Sequence, residues 1–378
     1  MLLCYDDNPD FGGHQVMALY GLEGILKTGA QVTFYSNPEN GKLLKRLEEL
    51  QRNFSSLKVR ATPVRTGKFQ GLRNRIFRKG IQTLTTCFRE EAPARLLCIQ
   101  GDIEDSCQAV LAGKKAGIET WSYIPVPHTL EAMGAKLGSL RDRFHAYLFQ
   151  AMDRFITISP AMADLLRSRG TRCPIEVVYN GIDLSRFQKR DSREVRASLG
   201  LPVEGLILGN IGRIEFKQKQ QLFLLNAFLE LPDCFQGCQL VFAGSGPDQG
   251  ELDQAITASG LGDRVRRLSW MEQPEQLYSA LDMLMIPSRF EGVPLVMLEA
   301  LASGIPVIGS DRDGMRDILP EPWRFEQENA PALGRAFKRC LKTREEFLEP
   351  LQKRIRTEMS LEHFQQEFAR VALKELNG

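Results

Sequence analysis

Short apolar runs alternate with longer helical stretches along almost the whole chain, and this alternation limits the folds that the chain can adopt. The apolar runs are continuous, as in strands that helices cover on both faces. Such a pattern predicts βαβ units and parallel sheets. On this basis we predict strands at Leu2–Tyr5, Val32–Tyr35, Leu96–Ile99, Thr120–Ile124, Phe155–Ile158, Glu176–Tyr179, Leu206–Ile211, Leu240–Ala243, Val265–Leu268, Met283–Ile286 and Pro306–Ile308.

The helical stretches and the length of the chain indicate two domains. Clear helical periodicity occurs at Val16–Leu26, at Leu222–Leu231, at Leu295–Ala302 and from about Leu361 to Leu376, where one face is apolar. The chain has 378 residues, which is more than a single domain usually contains.

The boundary between the domains is predicted from a change in composition. The run Asn180–Arg190 is polar and rich in turn residues, so we place the linker there. The predicted N-terminal domain spans 1–183 together with a C-terminal helix at about 360–378. The second domain spans 184–359.

The composition excludes some classes of protein. The 49 basic residues nearly balance the 47 acidic ones, whereas nucleic-acid-binding proteins usually have a clear basic excess, so we exclude nucleic acid as a partner. The eight cysteines are dispersed and complete no zinc-binding set. We therefore predict reduced thiols, a cytoplasmic location and no metal site. The first residues lack the features of a signal peptide, and no run reaches the roughly 18 apolar residues of a membrane-spanning helix.

The stretch 58–89 departs most strongly from this charge balance. It contains nine basic residues and no acidic one, with Leu72, Ile76, Phe77 and Ile81 interleaved at helix-like spacing. One interpretation is a cationic amphipathic surface that contacts anionic lipid at the inner face of a membrane, or an anionic acceptor. The other interpretation is an ordinary solvated helix face.

The segment 287–308, PSRFEGVPLVMLEALASGIPVI, carries the strongest functional signal. It follows the predicted strand Met283–Ile286 and predicts a loop, a helix and a second strand. Pro294 suits the first helical turn and Gly304 suits the C-terminal cap. Glu291 then lies outside the carboxyl end of a strand, where open α/β sheets bind ligands.

The start of this predicted helix is suited to a phosphate group. The backbone amides from Gly292 to Val296 have no partner within the helix, and the helix dipole adds positive potential there. Glu299 follows Glu291 by eight residues and lies in the second turn of the helix. Two carboxylates at such a place can accept hydrogen bonds from sugar or ribose hydroxyls.

The segment resembles the E-x7-E signature of the retaining GT-B glycosyltransferases of the family-four (group-one) class. Pro287-Ser288 ahead of it and the run LEALASGIPVI within it match that pattern nearly residue for residue. The resemblance implies an α/β fold of two Rossmann-like domains, with parallel sheets that face a central cleft. It also implies that the C-terminal helix returns to the N-terminal domain.

The resemblance implies a role for each part of the segment. Glu291 would face the transferred sugar, and Glu299 would bind the ribose of the donor. The donor diphosphate would be bound by the backbone of five consecutive residues, Gly292, Val293, Pro294, Leu295 and Val296.

A second element, Gly212-Arg213-Ile214, resembles the start of the family's G-R-x…K…A-F motif. Arg213 and one lysine would neutralise the departing diphosphate. Such cations are effective because they stabilise charge that develops in the transition state. Lys217 and Lys219 are both available, with glutamines where a glycine often follows. We favour Lys219 and keep Lys217 as the alternative.

Two further segments resemble parts of the family's nucleotide site. A strand followed by a G-x-G-P turn contains Gly244 and Gly246. Trp270 and Met271 lie where related enzymes contact the base, with Ser269 in place of a glycine that is often found there. All four residues are therefore candidates for donor binding.

The N-terminal half contributes two candidate elements. Gly12 and Gly13 follow the first predicted strand and allow close backbone approach to a ligand. They resemble the family's Gly-Gly loop beneath the donor phosphates and the acceptor, with Gln15 where a glutamate is usual. His128 resembles a histidine that approaches the donor sugar. We expect it to bind the sugar by hydrogen bonding rather than act as a general base.

Together these elements predict a retaining glycosyltransferase that moves a hexose-type sugar from a nucleoside-diphosphate donor, with UDP or GDP favoured. The acceptor would be a glycan, a lipid-linked molecule or a small molecule, as in the synthesis of cell-surface polysaccharides. Because cations and helix amides would bind the diphosphate, we predict no cofactor and no essential metal.

Other functions fit the sequence less well. The main alternative is a nucleotide-sugar-binding protein that lacks turnover and acts with a partner. A phosphorylase would need a lysine that carries pyridoxal phosphate, and an epimerase would need different catalytic acids. A plain NAD-binding Rossmann protein would need G-x-G-x-x-G after the first strand, which this chain lacks.

Overall fold

The computed structural model describes residues 1–187, 191–269, 271 and 274–376. The strands in this part of the chain are β1 (Leu2–Asp6), β2 (Val32–Ser36), β3 (Leu57–Ala61), β4 (Arg95–Ile99), β5 (Glu119–Tyr123), β6 (Arg154–Thr157), β7 (Ile175–Val177), β8 (Leu206–Ile211), β9 (Cys238–Ala243), β10 (Val265–Leu268), β11 (Met283–Ile286), β12 (Val307–Ser310) and β13 (Arg324–Phe325).

The helices between the strands complete a βαβ pattern. They are α1 (Gly13–Lys27), α2 (Gly41–Asn53), α3 (Gln70–Ile76), α4 (Lys79–Glu91), α5 (Cys107–Ala116), α6 (Gly138–His145), α7 (Pro160–Ser168), α8 (Ser192–Ser198), α9 (Phe216–Lys219), α10 (Gln221–Glu230), α11 (Gln249–Ala258), α12 (Glu275–Ala280), α13 (Leu295–Ala302), α14 (Asp313–Ile318), α15 (Ala330–Glu358) and α16 (Leu361–Ala372). Two short 3₁₀ helices lie at Ala146–Gln150 and Glu321–Trp323.

The chain divides into two compact units. Unit 1 comprises Met1–Gly181 and Leu361–Gly378, and unit 2 comprises Ile182–Ser360. The division falls within two residues of the boundaries at 183/184 and 359/360 that the sequence predicts.

Each unit contains one parallel sheet. The order in unit 1 is β3-β2-β1-β4-β5-β6-β7, and the order in unit 2 is β10-β9-β8-β11-β12-β13. In each sheet the order in which successive strands are added reverses once, between β1 and β4 in unit 1 and between β8 and β11 in unit 2. Loops diverge at such a switch point and leave a crevice at the carboxyl ends of the strands. The predicted class, an α/β fold of Rossmann-like units with parallel sheets, is confirmed.

The basic stretch 58–89 differs from the amphipathic pattern expected of it. Its start forms the edge strand β3, and the rest is divided between α3 and α4, with a break at Phe77 and Arg78. The break divides the apolar side chains, because Ile81 is buried whereas Ile76 and Phe77 are each 65% exposed. The four apolar residues therefore do not share one helix face, and Ile76 and Phe77 are exposed together at the break.

The C-terminal helix α16 packs against α1 in unit 1 at close range. Gly24 makes the approach possible, because a Cβ atom there would lie 2.3 Å from the carbonyl oxygen of Gln365. Gly21 likewise has the ring of Phe368 against it, 2.5 Å from the position of a Cβ atom. The C-terminal helix packs in the N-terminal domain, as predicted, and the two glycines of α1 allow the close approach.

A buried arginine connects α16 to the sheet of unit 1. Arg95 is 1% exposed, and its Nη1 donates to the carbonyl oxygen of Ala372 at 2.7 Å. Its Nε and Nη2 donate to Oε2 of Glu119 at 2.9 and 2.7 Å. The guanidinium also stacks on Trp121, with Cζ 3.7 Å from the ring centroid.

We expect Arg95→Met to lower the free energy of unfolding of unit 1 by about 3 kcal/mol, because it leaves Oε2 of Glu119 and the buried carbonyl oxygen of Ala372 without their donor. Urea denaturation measures this effect, and limited proteolysis should show earlier cleavage near α16. Arg370→Met is the matched control. Arg370 pairs with Glu367 on the exposed face of α16, so we expect a loss of less than about 1 kcal/mol. Equal losses in the two variants would contradict the assignment.

Candidate donor site in unit 2 and candidate loops in unit 1

The predicted donor-site residues of unit 2 lie at the switch point of its sheet. Arg213 follows β8 and Glu291 follows β11, and these strands are neighbours in register, with Met283 opposite Leu208. The loops after them are also joined, because the Arg289 amide donates to the carbonyl oxygen of Gln218 at 2.7 Å. Arg213 and Glu291 therefore both lie at the carboxyl ends of the two central strands of this sheet.

Lys219 and Glu291 form an ion pair at the carboxyl ends of these strands. Nζ of Lys219 lies 2.5 Å from Oε1 of Glu291, and the two side chains are only 23% and 8% exposed. The short helix α9 presents Lys219 because the side chain of Asp248 accepts from the Phe216 amide at its start, at 2.7 Å. Of the two candidate lysines, the structure thus places Lys219 against Glu291.

Arg213 is held much less tightly than Lys219. Its side chain is 65% exposed, and its nearest carboxylate is Oε2 of Glu215, 3.7 Å away. Its backbone is fixed, since the Gln221 side chain donates to the Arg213 carbonyl oxygen at 2.9 Å. An exposed guanidinium on a fixed backbone is free of close packing and can bind an anion that enters the crevice.

The two glycines of the G-x-G-P turn pack against the Arg213 loop. A Cβ atom on Gly244 would lie 1.9 Å from the Gly212 carbonyl oxygen, and one on Gly246 would lie 2.2 Å from that of Ile214. Backbone hydrogen bonds join the turns, from Gly212 to Ala243 at 3.0 Å and from Ile214 to Ser245 at 3.1 Å. Gly244 and Gly246 therefore have a packing role, whether or not they touch a ligand.

Helix α13 has the bounds that the sequence predicts, Leu295–Ala302, but Pro294 lies just before its first turn rather than within it. Pro294 is the N-cap, with φ −60° and ψ 124°, and the helix itself starts at Leu295. Pro294 has no amide hydrogen, and the Glu291 amide donates to Oδ2 of Asp313 at 2.9 Å. The amides that the geometry leaves for a phosphate are therefore those of Gly292, Leu295 and Val296. They precede Met297, the first amide that donates within the helix, to the Pro294 carbonyl oxygen at 3.0 Å.

Glu299 lies in the second turn of α13 and contacts an aromatic residue that the sequence did not suggest. The Tyr278 hydroxyl donates to Oε2 of Glu299 at 2.5 Å. Burial raises the pKa of Glu299, while the Tyr278 hydroxyl and the charge of Arg186 oppose that rise. Tyr278 also packs edge-to-face on Phe187 with the ring centroids 5.8 Å apart.

The predicted base-contacting residues follow β10. Met271 is partly buried in the loop between β10 and α12. Trp270 lies outside the described residues. The prediction for this pair stays a prediction.

In unit 1 the Gly-Gly loop forms the start of α1. Gly12 is the N-cap and Gly13 is the first helical residue. The Gly12 amide donates to Oε1 of Gln15 at 2.6 Å, so the glutamine side chain satisfies the amide at the start of the helix. A Cβ atom on Gly13 would meet nothing within 4 Å, so this turn is open on one side.

The same edge of unit 1 contains buried acids that the sequence did not indicate. Burial raises the pKa of Asp6 to about 7, and it also raises the pKa values of Asp7 and Asp105. Asp105 is raised further by the charges of neighbouring aspartates. Burial lowers the pKa of His14 to about 4. Asp6 ends β1, and Asp7 and Asp105 lie in the loops after β1 and β4, the two strands at the switch point of unit 1.

His128 lies in the irregular loop after β5, where the sequence placed it. The residue is 7% exposed. The same loop is held by Asp142, whose carboxylate accepts from the amides of Leu130 and Glu131 at 3.0 and 3.1 Å. Its predicted role at the donor sugar stays a prediction.

Two family models match the chain. The model described as Glycosyltransferase Family 4 matches residues 11–186, and the model described as Glycosyl transferases group 1 matches residues 205–343. Together they cover both units.

Curated relatives give the same result over shorter segments. The chain is 32% identical over 179 residues to the lipopolysaccharide core biosynthesis mannosyltransferase LpsB of Rhizobium meliloti (strain 1021), which covers 46% of this chain and 49% of that protein. It is 34% identical over 218 residues to the D-inositol 3-phosphate glycosyltransferase of Mycolicibacterium smegmatis, covering 52% of this chain and 49% of that protein. The matches span about half of these relatives.

Solved structures share the whole architecture. The Anabaena protein HepE in complex with UDP superposes with a TM-score of 0.78 at 17% identity, over 98% of each chain. The lipopolysaccharide outer core galactosyltransferase WaaB in its apo form gives a TM-score of 0.72 at 20% identity, over 98% of this chain and 99% of that one. The matching family models and this shared fold identify the chain as a member of the group 1 (family 4) glycosyltransferases, with the GT-B architecture of two Rossmann-like domains.

Proposed function

We propose that the protein is a retaining glycosyltransferase that moves a hexose-type sugar from a nucleoside-diphosphate donor to a glycan, lipid-linked or small-molecule acceptor. The observation that carries the proposal is the contact between Lys219 and Glu291 at the switch point of unit 2. This ion pair places a cation and a carboxylate next to the start of helix α13, at the carboxyl ends of the central strands. An exposed arginine, Arg213, lies on the adjoining loop.

Each part of this site has a task in the proposed reaction. Lys219, Arg213 and the amides of Gly292, Leu295 and Val296 bind the diphosphate and stabilise the charge that it gains as it departs. Glu291 accepts hydrogen bonds from the transferred sugar, and Glu299 does the same for the ribose. The role of His128 in binding the sugar rests on the resemblance alone.

The proposed stereochemical outcome rests on the resemblance to the retaining family. Glu291 is engaged by Lys219, which makes it a poor nucleophile for a double displacement. We therefore propose substitution on one face of the sugar. The acceptor oxygen attacks the anomeric carbon as the bond to the diphosphate breaks, and the leaving phosphate oxygen takes the acceptor's proton. The anomeric configuration is retained, and no metal or cofactor is needed because cations and amides already bind the diphosphate.

Relatives support the choice of donor. HepE has been solved with UDP and with UDP-glucose, and LpsB is named as a mannosyltransferase. Glucose and mannose are both hexoses. LpsB and WaaB are each named for the lipopolysaccharide core. We propose a UDP- or GDP-hexose as the donor and an acceptor from cell-surface glycan synthesis.

A thermal-shift screen with UDP-, GDP- and ADP-sugars tests the donor site. A ligand at about 100 times its dissociation constant stabilises the folded state by about 2.7 kcal/mol. The best nucleotide sugar should then be consumed, and NMR of the product should show the donor's anomeric configuration. Stabilisation without hydrolysis or transfer would favour the alternative, a binding protein without turnover. An inverted product would reject the retaining mechanism.

We also propose that unit 1 contacts an anionic membrane surface through the turn between α3 and α4. Ile76 and Phe77 are each 65% exposed at this turn. Arg73, Arg78 and Lys79 are near them in the chain, are exposed, and form no ion pair within the described part of the chain. Exposed apolar side chains ringed by cations are typical of segments that lie in the headgroup region.

The rest of the basic stretch contributes less to this surface. Arg60 pairs with Glu91 at 2.8 Å, and Arg65 pairs with Glu39 at 2.6 Å, so their charges are partly neutralised. Within the described residues, no helix is long and apolar enough to cross a bilayer. All eight cysteines are unpaired. We propose on this basis that the enzyme works in the cytoplasm, at the inner face of the membrane.

Vesicle co-sedimentation tests the membrane proposal. The wild-type chain should bind phosphatidylcholine vesicles that contain roughly 30% phosphatidylglycerol and should bind pure phosphatidylcholine much less. Replacing both Arg78 and Lys79 by glutamate should weaken binding at least tenfold, since each cation near such a surface contributes about 1 kcal/mol. Phe77→Ser should also weaken it. Leu341→Ser, which changes a 44% exposed leucine in unit 2, should have no effect. Equal binding to both vesicle types would reject the proposal.

A further inference from the structure

The loop that carries Glu291 is held by the start of helix α14, which follows β12. The Glu291 amide donates to Oδ2 of Asp313 at 2.9 Å. One residue further along both segments, the Gly314 amide donates to the carbonyl oxygen of Gly292 at 2.9 Å. We call this pair of hydrogen bonds the 313–314 clasp. It fixes the peptide groups on either side of the Glu291–Gly292 bond.

Asp313 has an unusual backbone conformation for its residue type. Its φ is +51°, in the left-handed region that glycine enters without steric cost. Aspartate tolerates this region better than most residues, but the conformation still opposes folding. Strained positions of this kind persist where the surrounding structure enforces them, and they cluster at functional sites.

The aspartate side chain gives this position something that glycine cannot. Its carboxylate is 10% exposed and accepts from the Glu291 amide, while Nε of Arg312 lies 3.4 Å from the same oxygen. An acceptor with negative charge forms a stronger hydrogen bond to an amide than a neutral acceptor does.

The following residue makes the clasp tight. A Cβ atom on Gly314 would lie 2.1 Å from the Gly292 carbonyl oxygen and 2.7 Å from Cγ2 of Val293. A further hydrogen bond joins the same two segments, because the Ser310 hydroxyl donates to the Ser288 carbonyl oxygen at 2.6 Å. The whole loop from Ser288 to Gly292 is thus supported by the segment 310–314.

We propose that Asp313 is a positioning residue that holds Glu291 in the orientation needed for sugar transfer. It acts through the Glu291 backbone and has no need to touch the donor. Lys219 fixes the Glu291 carboxylate and Asp313 fixes the Glu291 amide, so the side chain is held at both ends. The inference rests on the proposed function of Glu291, because it extends the same site.

Two substitutions at Asp313 separate the acceptor from the backbone strain. Asp313→Gly relieves the left-handed conformation and removes the acceptor. Asp313→Asn keeps an oxygen that can accept from the Glu291 amide and is tolerated at positive φ. Ala92→Gly is the control for strain alone, because Ala92 has φ +44° at the end of α4 in unit 1.

Activity gives the first measurement. With the best nucleotide sugar, Asp313→Gly should lower kcat at least tenfold and change the KM for the donor by less than about threefold, because misorientation affects the reacting geometry most. Asp313→Asn should restore kcat to within about threefold of the wild type. Ala92→Gly should match the wild type. Unchanged kcat in Asp313→Gly, or an equal loss in Asp313→Asn, would overturn the proposal.

Amide hydrogen exchange gives a measurement that does not depend on turnover. Exchange in the segment 288–293 should be at least tenfold faster in Asp313→Gly than in the wild type and near wild type in Asp313→Asn. If the wild-type chain transfers no sugar while exchange responds in this way, the clasp stands and the proposed function fails. If exchange in Asp313→Gly equals that of the wild type, the clasp fails whatever the activity.

Discussion

Arg213→Ala and Lys219→Ala are each expected to lower turnover about a hundredfold or more, with the fold intact in the first variant. The reason is electrostatic, since both cations stabilise the charge that the diphosphate gains in the transition state. Arg213 gives the cleaner result because its side chain is 65% exposed and its removal leaves no buried group without a partner. Steady-state transfer rates measure the effect.

Lys219→Ala needs an additional control, because it leaves the buried carboxylate of Glu291 without its ion-pair partner. Its thermal midpoint should fall, whereas that of Arg213→Ala should not. Lys217→Ala, two residues away on the same short helix, should keep turnover within about threefold of the wild type. Loss of turnover in Lys217→Ala with normal rates in Lys219→Ala would reverse the assignment of the lysine.

Gly244→Ala is expected to destabilise unit 2 by more than about 3 kcal/mol, or to prevent folding of the unit. The added Cβ atom would lie 1.9 Å from the Gly212 carbonyl oxygen, which is backbone and cannot rotate away. The turns after β8 and β9 would have to separate, and overpacking of this kind is among the costly effects of single substitutions. Chemical denaturation measures the loss.

Gly212→Ala is a matched control for this variant. Gly212 and Gly244 have nearly the same φ, 147° and 149°, but a Cβ atom on Gly212 would meet nothing within 4 Å. The control therefore carries the backbone strain, at about 1–3 kcal/mol, without the collision. Similar losses in the two variants would show that the close approach of the turns has no energetic importance.

The buried strands of unit 2 could be predicted closely from the sequence. Leu206–Ile211, Val265–Leu268 and Met283–Ile286 occur with the predicted bounds, as does helix α13. Continuous apolar runs bounded by turn residues leave little choice of register. The edge strand Leu57–Ala61 was missed because its exposed face carries Lys58 and Arg60, a composition that resembles a polar helix or loop.

Those site residues that lie in one continuous segment of the chain could be predicted from the sequence. Glu291 and Glu299 lie on one loop and helix, and the structure keeps them there. Asp313 and Tyr278 were missed because they reach these residues only through the packing of other strands and helices, 22 and 21 positions away. The buried acids of unit 1 were missed for the same reason, since Asp7 meets Ser106 across 99 positions. Periodicity and turn signals report local structure and contain no information on such contacts.

Calorimetric titration with UDP, GDP and ADP tests most directly whether the switch point of unit 2 binds a diphosphate. We expect one of these nucleotides to bind the wild-type chain and to bind the Arg213→Ala/Lys219→Ala double variant at least a hundredfold more weakly, since each charged hydrogen bond contributes about 1.5–3 kcal/mol. The matching nucleoside without phosphates should bind both proteins equally. Equal affinity of the diphosphate for the wild type and the double variant would contradict the account.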